Sequence, residues 1–253
     1  MSENPFNLTG KLAVVTGARR GIGQAVAIGL AKAGADIIGV SNHMELEKSE
    51  LRSKIEDMGR KFIPIQTDFS DRSSVVNLGE ELSNYEIDIL INNAGSIERS
   101  PALDHPLESW DRIIEINLSS QFVLTQSVAK NMAKRGQGKI IFTASLLSFQ
   151  GGINVPGYTA SKSAIVGLVR ALSNEWSSKG IGVNAIVPGY IATDNTQALR
   201  DDPIRYQSIL DRIPQGRWGK PEDLVGAAIF LSSSASDYIS GVALPVDGGW
   251  LGR

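Results

Sequence analysis

Tyr158 and Lys162, in the stretch YTASK, stand four positions apart with only Thr159, Ala160 and Ser161 between them. On a helix, residues i and i+4 share a face, so a phenol and an ammonium would lie one turn apart. A phenol can protonate a developing alkoxide or deprotonate an alcohol, provided its pKa comes near the working pH. Free tyrosine titrates near ~10, and bringing it close to neutrality means stabilising the phenolate by roughly 3–4 kcal/mol. A cation within ~4–6 Å is the ordinary means, so Lys162 is expected to make Tyr158 acidic. Ser145 ends the apolar run KIIFTAS. Strand-end residues of an open sheet face its ligand crevice, where this hydroxyl would fix a substrate oxygen beside the phenol. Asn117 is polar among Trp110, Ile113, Ile114 and Leu118 on an otherwise apolar helix face. It is the candidate for passing protons between Lys162 and solvent, or else a hydrogen-bonded core amide.

A second constellation suits a phosphate ligand. TGARRGIG, Thr16–Gly23, follows an apolar strand and opens a helix. Gly17, Gly21 and Gly23, with Ile22 between the last two, permit a tight turn and close backbone approach. A helix N-terminus then offers free N–H groups to a pyrophosphate. The spacing, Gly-x-x-x-Gly-x-Gly, differs from the usual Gly-x-Gly-x-x-Gly of dinucleotide folds. NAD sites normally end the second strand with a carboxylate for the ribose 2′-OH. Here that strand ends Val40-Ser41-Asn42-His43, and Asp36 lies at its other end. Arg19 and Arg20 supply charge for a 2′-phosphate, which points to NADP(H); neutral Ser41 and Asn42 also suit the ribose hydroxyl of NAD(H).

The elements that must position these residues alternate. Short β-branched runs at 11–17, 35–41, 61–68, 87–93, 139–145, 181–188 and 241–247 read as strands, mostly near-continuously apolar, as expected where both sheet faces are covered. Helical stretches lie between them at 21–34, 45–58, 71–83, 108–134, 157–179 and 221–233. This alternation predicts a single α/β domain of the Rossmann type over 1–253, with a doubly wound, seven-stranded parallel sheet and helices on both faces. The stretch 189–220, with Gly189, Pro203, Pro214, Gly216 and Gly219, reads as a long irregular segment. Loops of that length are often binding lids, and it is expected to be a substrate flap.

Composition excludes several classes. A net charge of −2 shows no basic excess for a nucleic-acid partner. The absence of cysteine removes disulfides, thiolate catalysis and cysteine-bound metal. Two histidines, His43 and His105, far apart in polar surroundings, read as surface residues, and no metal is expected. The start MSENPFNLTG lacks the basic and apolar regions of a secretory signal. No run reaches the ~18 apolar residues of a membrane span. A cytoplasmic protein is expected.

Taken together, TGARRGIG, Asp68, NNAG (Asn92–Gly95), Asn117, Ser145, YTASK and PGYIAT (Pro188–Thr193) resemble the short-chain dehydrogenase/reductase family in order and spacing over essentially the whole chain. The resemblance implies that Ser145, Tyr158 and Lys162 form a catalytic triad, with Asn117 holding a water in a proton relay. It implies that Asp68 binds adenine, that Asn92, Asn93, Ala94 and Gly95 lie beside the adenosine ribose, and that Lys162 also bonds the nicotinamide ribose. Pro188, Gly189, Ile191 and Thr193 would border the nicotinamide. A homotetramer is implied, with helices 108–134 and 157–179 and the C-terminal strand at interfaces.

Within the family, SLLSFQGGINVPGYTASKSAIVGLVRALSNEW and ILDRIPQGRWGKPEDL resemble bacterial members that act on 2-dehydro-3-deoxy-D-gluconate in uronate catabolism; the paired arginines depart from those members. Reductases of alginate-derived deoxy-keto-uronates, gluconate 5-dehydrogenases and, further off, 3-oxoacyl-carrier or steroid reductases share the machinery. A sugar-acid carboxylate calls for a fixed cation. Arg99, a few residues after NNAG, is the first candidate; Arg205 and Arg217 are secondary. Gln150, in FQGG, could bond sugar hydroxyls. Trp218 is expected to pack the flap against the body.

Overall fold

A computed structural model describes residues 4–253; Met1, Ser2 and Glu3 of the stretch read for a leader lie outside the described residues. Among those residues, seven parallel strands form one sheet in the order β3-β2-β1-β4-β5-β6-β7. They are β1 (Leu12–Thr16), β2 (Asp36–Ser41), β3 (Phe62–Gln66), β4 (Ile89–Asn92), β5 (Gly138–Thr143), β6 (Ile181–Pro188) and β7 (Ala243–Val246). The chain reverses its direction of travel across the sheet between β1 and β4. Such a switch point leaves a crevice at the carboxyl ends of the two strands, and the candidate residues gather there.

The helices are α1 (Gly21–Lys32), α2 (Glu50–Glu56), α3 (Arg72–Leu82), α4 (Leu107–Ile114), α5 (Ser120–Arg135), α6 (Pro156–Trp176), α7 (Gln197–Arg200), α8 (Pro203–Leu210) and α9 (Val225–Ser232). Alternation along the strands builds two cores. Ala13, Val15, Ile37 and Ile91 pack against Val26 and Leu30 of α1, Ile55 of α2 and Leu231 of α9. On the other face, Val14, Ile38, Ile140 and Phe142 meet Leu78 of α3, Leu124 and Val128 of α5, and Ile165 and Val169 of α6.

Three segments differ from the sequence reading, each for a local reason. The helix expected from 45 begins only at Glu50, because Ser49 caps it by accepting from the Arg52 N–H at 3.0 Å. The helix expected over 108–134 is two helices joined by a π turn, Glu115–Ser119, in which the Ser120 N–H reaches back to the Glu115 carbonyl. Asn117 sits inside that turn; π turns often accompany functional sites. The segment 189–220 is not irregular. It holds α7 and α8, and Asp202 caps α8 by accepting from the N–H groups of Ile204 and Arg205, with Pro203 in the first turn.

Both ends of that segment are fastened. The Gly219 N–H donates to the Tyr190 carbonyl at 2.9 Å, and the Ala192 N–H to the Gly219 carbonyl at 2.8 Å. Trp218 is buried and does pack the segment against the body. It stacks on Tyr206 of α8 with ring centroids 5.6 Å apart and meets Tyr190 edge-on at 5.5 Å. Tyr190 in turn touches Trp250, over which Arg212 lies at 4.1 Å. Aromatic pairs of this kind contribute about 0.5–1.5 kcal/mol each beyond area burial.

Candidate active site

A cleft of about 560 Å³ opens at the switch point, within the range of small-molecule sites. Apart from Gly23 and Asn92, every residue expected to meet the cofactor lines it. Gly17 and Gly21 take left-handed conformations, with φ of +67° and +58°. Gly23 lies behind the loop: a Cβ there would stand 2.2 Å from the Gly17 carbonyl oxygen, so only glycine lets the turn close this tightly. At the start of α1, Arg20 makes no side-chain cap. The first N–H groups of the helix are left for an anion. This cradle fits the pyrophosphate of a dinucleotide.

Hydroxyls and amides bolt the loop to the neighbouring strand ends. Thr16 Oγ1 accepts from the N–H groups of Asn93 and Ala94, each at 2.9 Å. Asn93 Nδ2 donates to the Thr16 carbonyl at 3.0 Å, and Gln121 Nε2 to the Ala94 carbonyl at 2.6 Å. Thr16 and Gln121 are buried residues that the sequence reading passed over; a polar residue closing an apolar strand was the available signal. Asn92 corrects the expectation for NNAG. It is fully buried and faces α5, donating to Thr125 Oγ1 at 2.7 Å, so it stands behind the ribose wall.

At the adenosine end, Ser41, Asn42, His43 and Asp68 form the rim. Ser41 Oγ accepts from the Arg19 N–H at 3.1 Å. The Arg19 side chain points toward Glu45, at 3.7 Å, whereas Arg20 pairs with Asp194 at 2.6 Å. Asp36 does lie at the far end of β2, accepting from the Lys61 N–H. His43 is exposed as expected, but His105 is half-buried with both ring nitrogens shielded and unpartnered. Among the described residues, no cluster of His, Asp and Glu could hold a metal ion.

Ser145, Tyr158 and Lys162 share the opposite wall. Lys162 is 3% exposed. Its Nζ donates to the Thr143 carbonyl at 2.6 Å and lies 5.8 Å from the centroid of the Tyr158 ring. Burial pushes the amine down to about 8. Burial also pushes the Tyr158 phenol up, opposed by the Ser145 hydroxyl and the charge of Arg99. Burial thus opposes the acidification of the phenol expected from Lys162. Both groups lose hydration, and the ammonium is spent on a backbone carbonyl. Ser145 caps a short turn by accepting from the Leu147 N–H, and Ser148 Oγ ties that turn to α6 through the Lys162 carbonyl at 2.6 Å.

Asn117 is fully buried. Its Nδ2 donates to the Ser96 carbonyl at 2.9 Å and to Ser161 Oγ at 3.1 Å; its Oδ1 accepts from the Ser96 N–H at 2.8 Å. Both amide protons are used within the protein, so the side chain holds the cleft wall at Ser96. Gly95 lies between the two residues: a Cβ there would be 3.3 Å from Asn117 Oδ1 and 3.8 Å from Lys162 Nζ.

On the substrate side, Arg99 Nη2 donates to the Asn195 carbonyl at 2.9 Å. Arg205 is exposed on α8. Arg217 is fully engaged: its guanidinium holds both oxygens of Asp223, at 2.6 and 2.9 Å, which keeps that carboxyl well below its usual range. Gln150 does not line the cleft; its Oε1 accepts from the Trp250 indole N–H at 3.0 Å, anchoring the C-terminal turn. Arg112, paired with Glu98, does line it and was not foreseen.

A seven-stranded parallel Rossmann sheet with serine, tyrosine and lysine at the switch point, opposite a glycine loop, defines an oxidoreductase. Residues 17–251 match the family model described as Enoyl-(Acyl carrier protein) reductase, and the chain belongs to the short-chain dehydrogenase/reductase family. It is 57% identical over 250 residues to the 2-dehydro-3-deoxy-D-gluconate 5-dehydrogenase of Pseudoalteromonas atlantica, covering 98% of each chain. A solved structure from Beutenbergia cavernae, assigned as an NAD(P) dependent gluconate 5-dehydrogenase with NADP bound, superposes with a TM-score of 0.95 at 46% identity, covering 99% of this chain and 100% of that one. One from Agrobacterium tumefaciens, assigned as a 2-deoxy-D-gluconate 3-dehydrogenase with NADP bound, gives 0.93 at 47% identity with the same coverage.

Proposed function

We propose that this protein is an NADP(H)- or NAD(H)-dependent oxidoreductase that interconverts a carbonyl and a hydroxyl of a deoxy-keto sugar acid of the 2-dehydro-3-deoxy-D-gluconate type. The observation that carries the reading is the convergence of Ser145, Tyr158 and Lys162 on the glycine-loop cleft, in a chain 57% identical to a relative named for that reaction. The glycine loop would hold the pyrophosphate, and Lys162 would bond the nicotinamide ribose. When bound, the nicotinamide supplies or accepts the hydride. Ser145 Oγ orients the substrate oxygen. Tyr158 delivers a proton to that oxygen in reduction and removes it in oxidation. Because burial holds the phenol neutral, proton donation in the reductive direction is its resting competence.

Arg99 is the cation we assign to the substrate carboxylate. It stands between the loop after β4 and Asn195, and its charge reaches Tyr158. Residues 189–220 form the cover of the substrate side. Leu103, Leu107 and Phe122 around α4 and α5, and Tyr238 and Val242 before β7, expose apolar surface, which supports a homotetramer. No helix among the described residues is long and apolar enough to cross a membrane, and a cytoplasmic location goes with the sugar-acid reading.

The test is turnover of a panel of keto-deoxy sugar acids and gluconates, with 3-oxoacyl esters as the contrast, against NADPH and NADH. Turnover confined to the sugar acids supports the reading. Preference for the acyl esters sinks it. In Tyr158→Phe, kcat should fall by at least ~100-fold while fluorescence titration gives an unchanged cofactor affinity; retained activity would rule out the phenol as proton donor.

A further inference from the structure

The two walls of the dinucleotide cleft touch away from the chemistry. Arg20 of the glycine loop and Asp194 of the flap are 174 residues apart in sequence, yet Nη1 and Oδ2 stand 2.6 Å apart. The contact continues beside them. A Cβ built on Gly21 would be 3.6 Å from Thr193 Cγ2, so loop and flap are within van der Waals reach. The flap residues at this point are themselves rigid. Thr196 Oγ1 donates to the Ile191 carbonyl at 2.6 Å, Arg200 Nη2 to the Thr193 carbonyl at 3.2 Å, and Arg99, from the far wall, to the Asn195 carbonyl at 2.9 Å. Residues 193–195 are thus strapped across the cleft from both sides, and they line the same cavity as the loop.

Arg20 had an evident alternative use, a cofactor 2′-phosphate. In this geometry its guanidinium turns away from Ser41 and Asn42 to the opposite wall, while Arg19 stays on their side, near Glu45. Both members of the Arg20–Asp194 pair are about 70% exposed (71% and 70%). Such a pair adds little to global stability, which frees it to open and close without unfolding anything.

We propose that Asp194 is a positioning residue for the dinucleotide. Paired with Arg20, it fastens the flap over the glycine loop, and breaking this pair is the step that lets the cofactor in and out. The proposal rests on dinucleotide binding at this cleft and not on the sugar-acid assignment.

Two roles for Asp194 predict opposite signs. If it were only a negative charge beside an anionic ligand, removing it would slow cofactor release. As half of a clasp, its removal speeds release. The experiment is stopped-flow displacement of NADPH and, separately, NADH from the full-length protein without sugar acid, read by nucleotide fluorescence. Exposed pairs are worth ~0.2–1 kcal/mol, so Asp194→Asn should raise the dissociation rate of both nucleotides by about 1.5- to 5-fold. The charge-exchanged double variant Arg20→Asp/Asp194→Arg should return toward the native rate for NADH. Slower or unchanged release from Asp194→Asn overturns the clasp, as does a charge exchange that releases NADH as fast as Asp194→Asn does. If the native protein binds neither nucleotide, the cofactor reading itself falls and the clasp with it. If it binds them but turns over no sugar acid, only the substrate assignment falls.

Discussion

Replacing Lys162 with methionine should change how stability depends on pH, and the size of the change follows from burial. The native amine is 3% exposed and titrates at about 8, against an ordinary value of 10.5. Between those two pH values the unfolded chain keeps a proton that the folded chain has released. Stability therefore rises with pH in that window, because the unfolded state binds more protons there. Below about 8 both states are protonated and the folded chain bears the full cost of a desolvated ammonium. Integrating the linkage relation from pH 7 to 10 gives a gain of about 2.5 kcal/mol. Methionine has a similar length and no proton to lose. The difference between the native and Lys162→Met unfolding free energies should then climb by about 2–3 kcal/mol from pH 7 to 10, and stay flat from 5.5 to 7. Urea titrations at matched protein concentration measure it. Subtraction cancels the carboxylates, the other lysines and most of the Tyr158 contribution. A flat difference across pH 7–10 would falsify the claim that the folded protein desolvates this amine.

Three further outcomes test other parts of the site. Gly23→Ala places a methyl group 2.2 Å from the Gly17 carbonyl, so the loop must deform; nucleotide fluorescence titration should show NADPH affinity lost by at least ~10-fold, with the far-UV spectrum intact. Arg99→Ala removes a charge-assisted bond worth ~1.5–3 kcal/mol, and KM for the sugar acid should rise about 10- to 100-fold while NADPH affinity stays within about twofold. Phe142→Ala empties a fully buried position in β5 and should cost about 3–5 kcal/mol by urea titration, with no change in the pH dependence described above.

The architecture was legible because each strand carries its own signal. KLAVVTG, IDILINN and KIIFTAS are apolar on both faces, as a doubly covered sheet requires, and the glycine loop marks the first crossover. Boundaries were less legible where one short side chain decides them. Ser49 delays α2 by accepting a single N–H, and Asp202 starts α8 inside a segment that looked like loop. The π turn at Glu115–Ser119 was invisible, since its apolar spacing mimics that of an ordinary helix. At the site, residue types gave the cast, but not every direction in which the side chains point. Asn92 and Asn93 are adjacent, yet one faces α5 and the other the Thr16 carbonyl, because successive strand-end residues alternate between faces. Gln150 and Arg217 were read as polar groups free for a substrate. Their partners, Trp250 and Asp223, are 100 and 6 residues away, and only the tertiary packing commits them.

The instructive miss is electrostatic. Spacing alone places Lys162 beneath Tyr158, and Coulomb attraction between an ammonium and a phenolate suggests an acidic phenol. Sequence carries no dielectric, however. In the folded chain both groups lie where charge is poorly hydrated, and desolvation acts on each separately, raising one and lowering the other. Near neutral pH the pair therefore rests as neutral phenol and ammonium, with the ammonium held by the Thr143 carbonyl. Reduction needs only that the phenol give up its proton as alkoxide charge develops. In the proposed reaction the phenolate left behind would be stabilised at that moment by Lys162 and Arg99 together. Oxidation needs the phenolate beforehand. The same burial that makes the site ready for reduction should push the optimum for oxidation to higher pH, widening its separation from the optimum for reduction beyond what an exposed tyrosine would give.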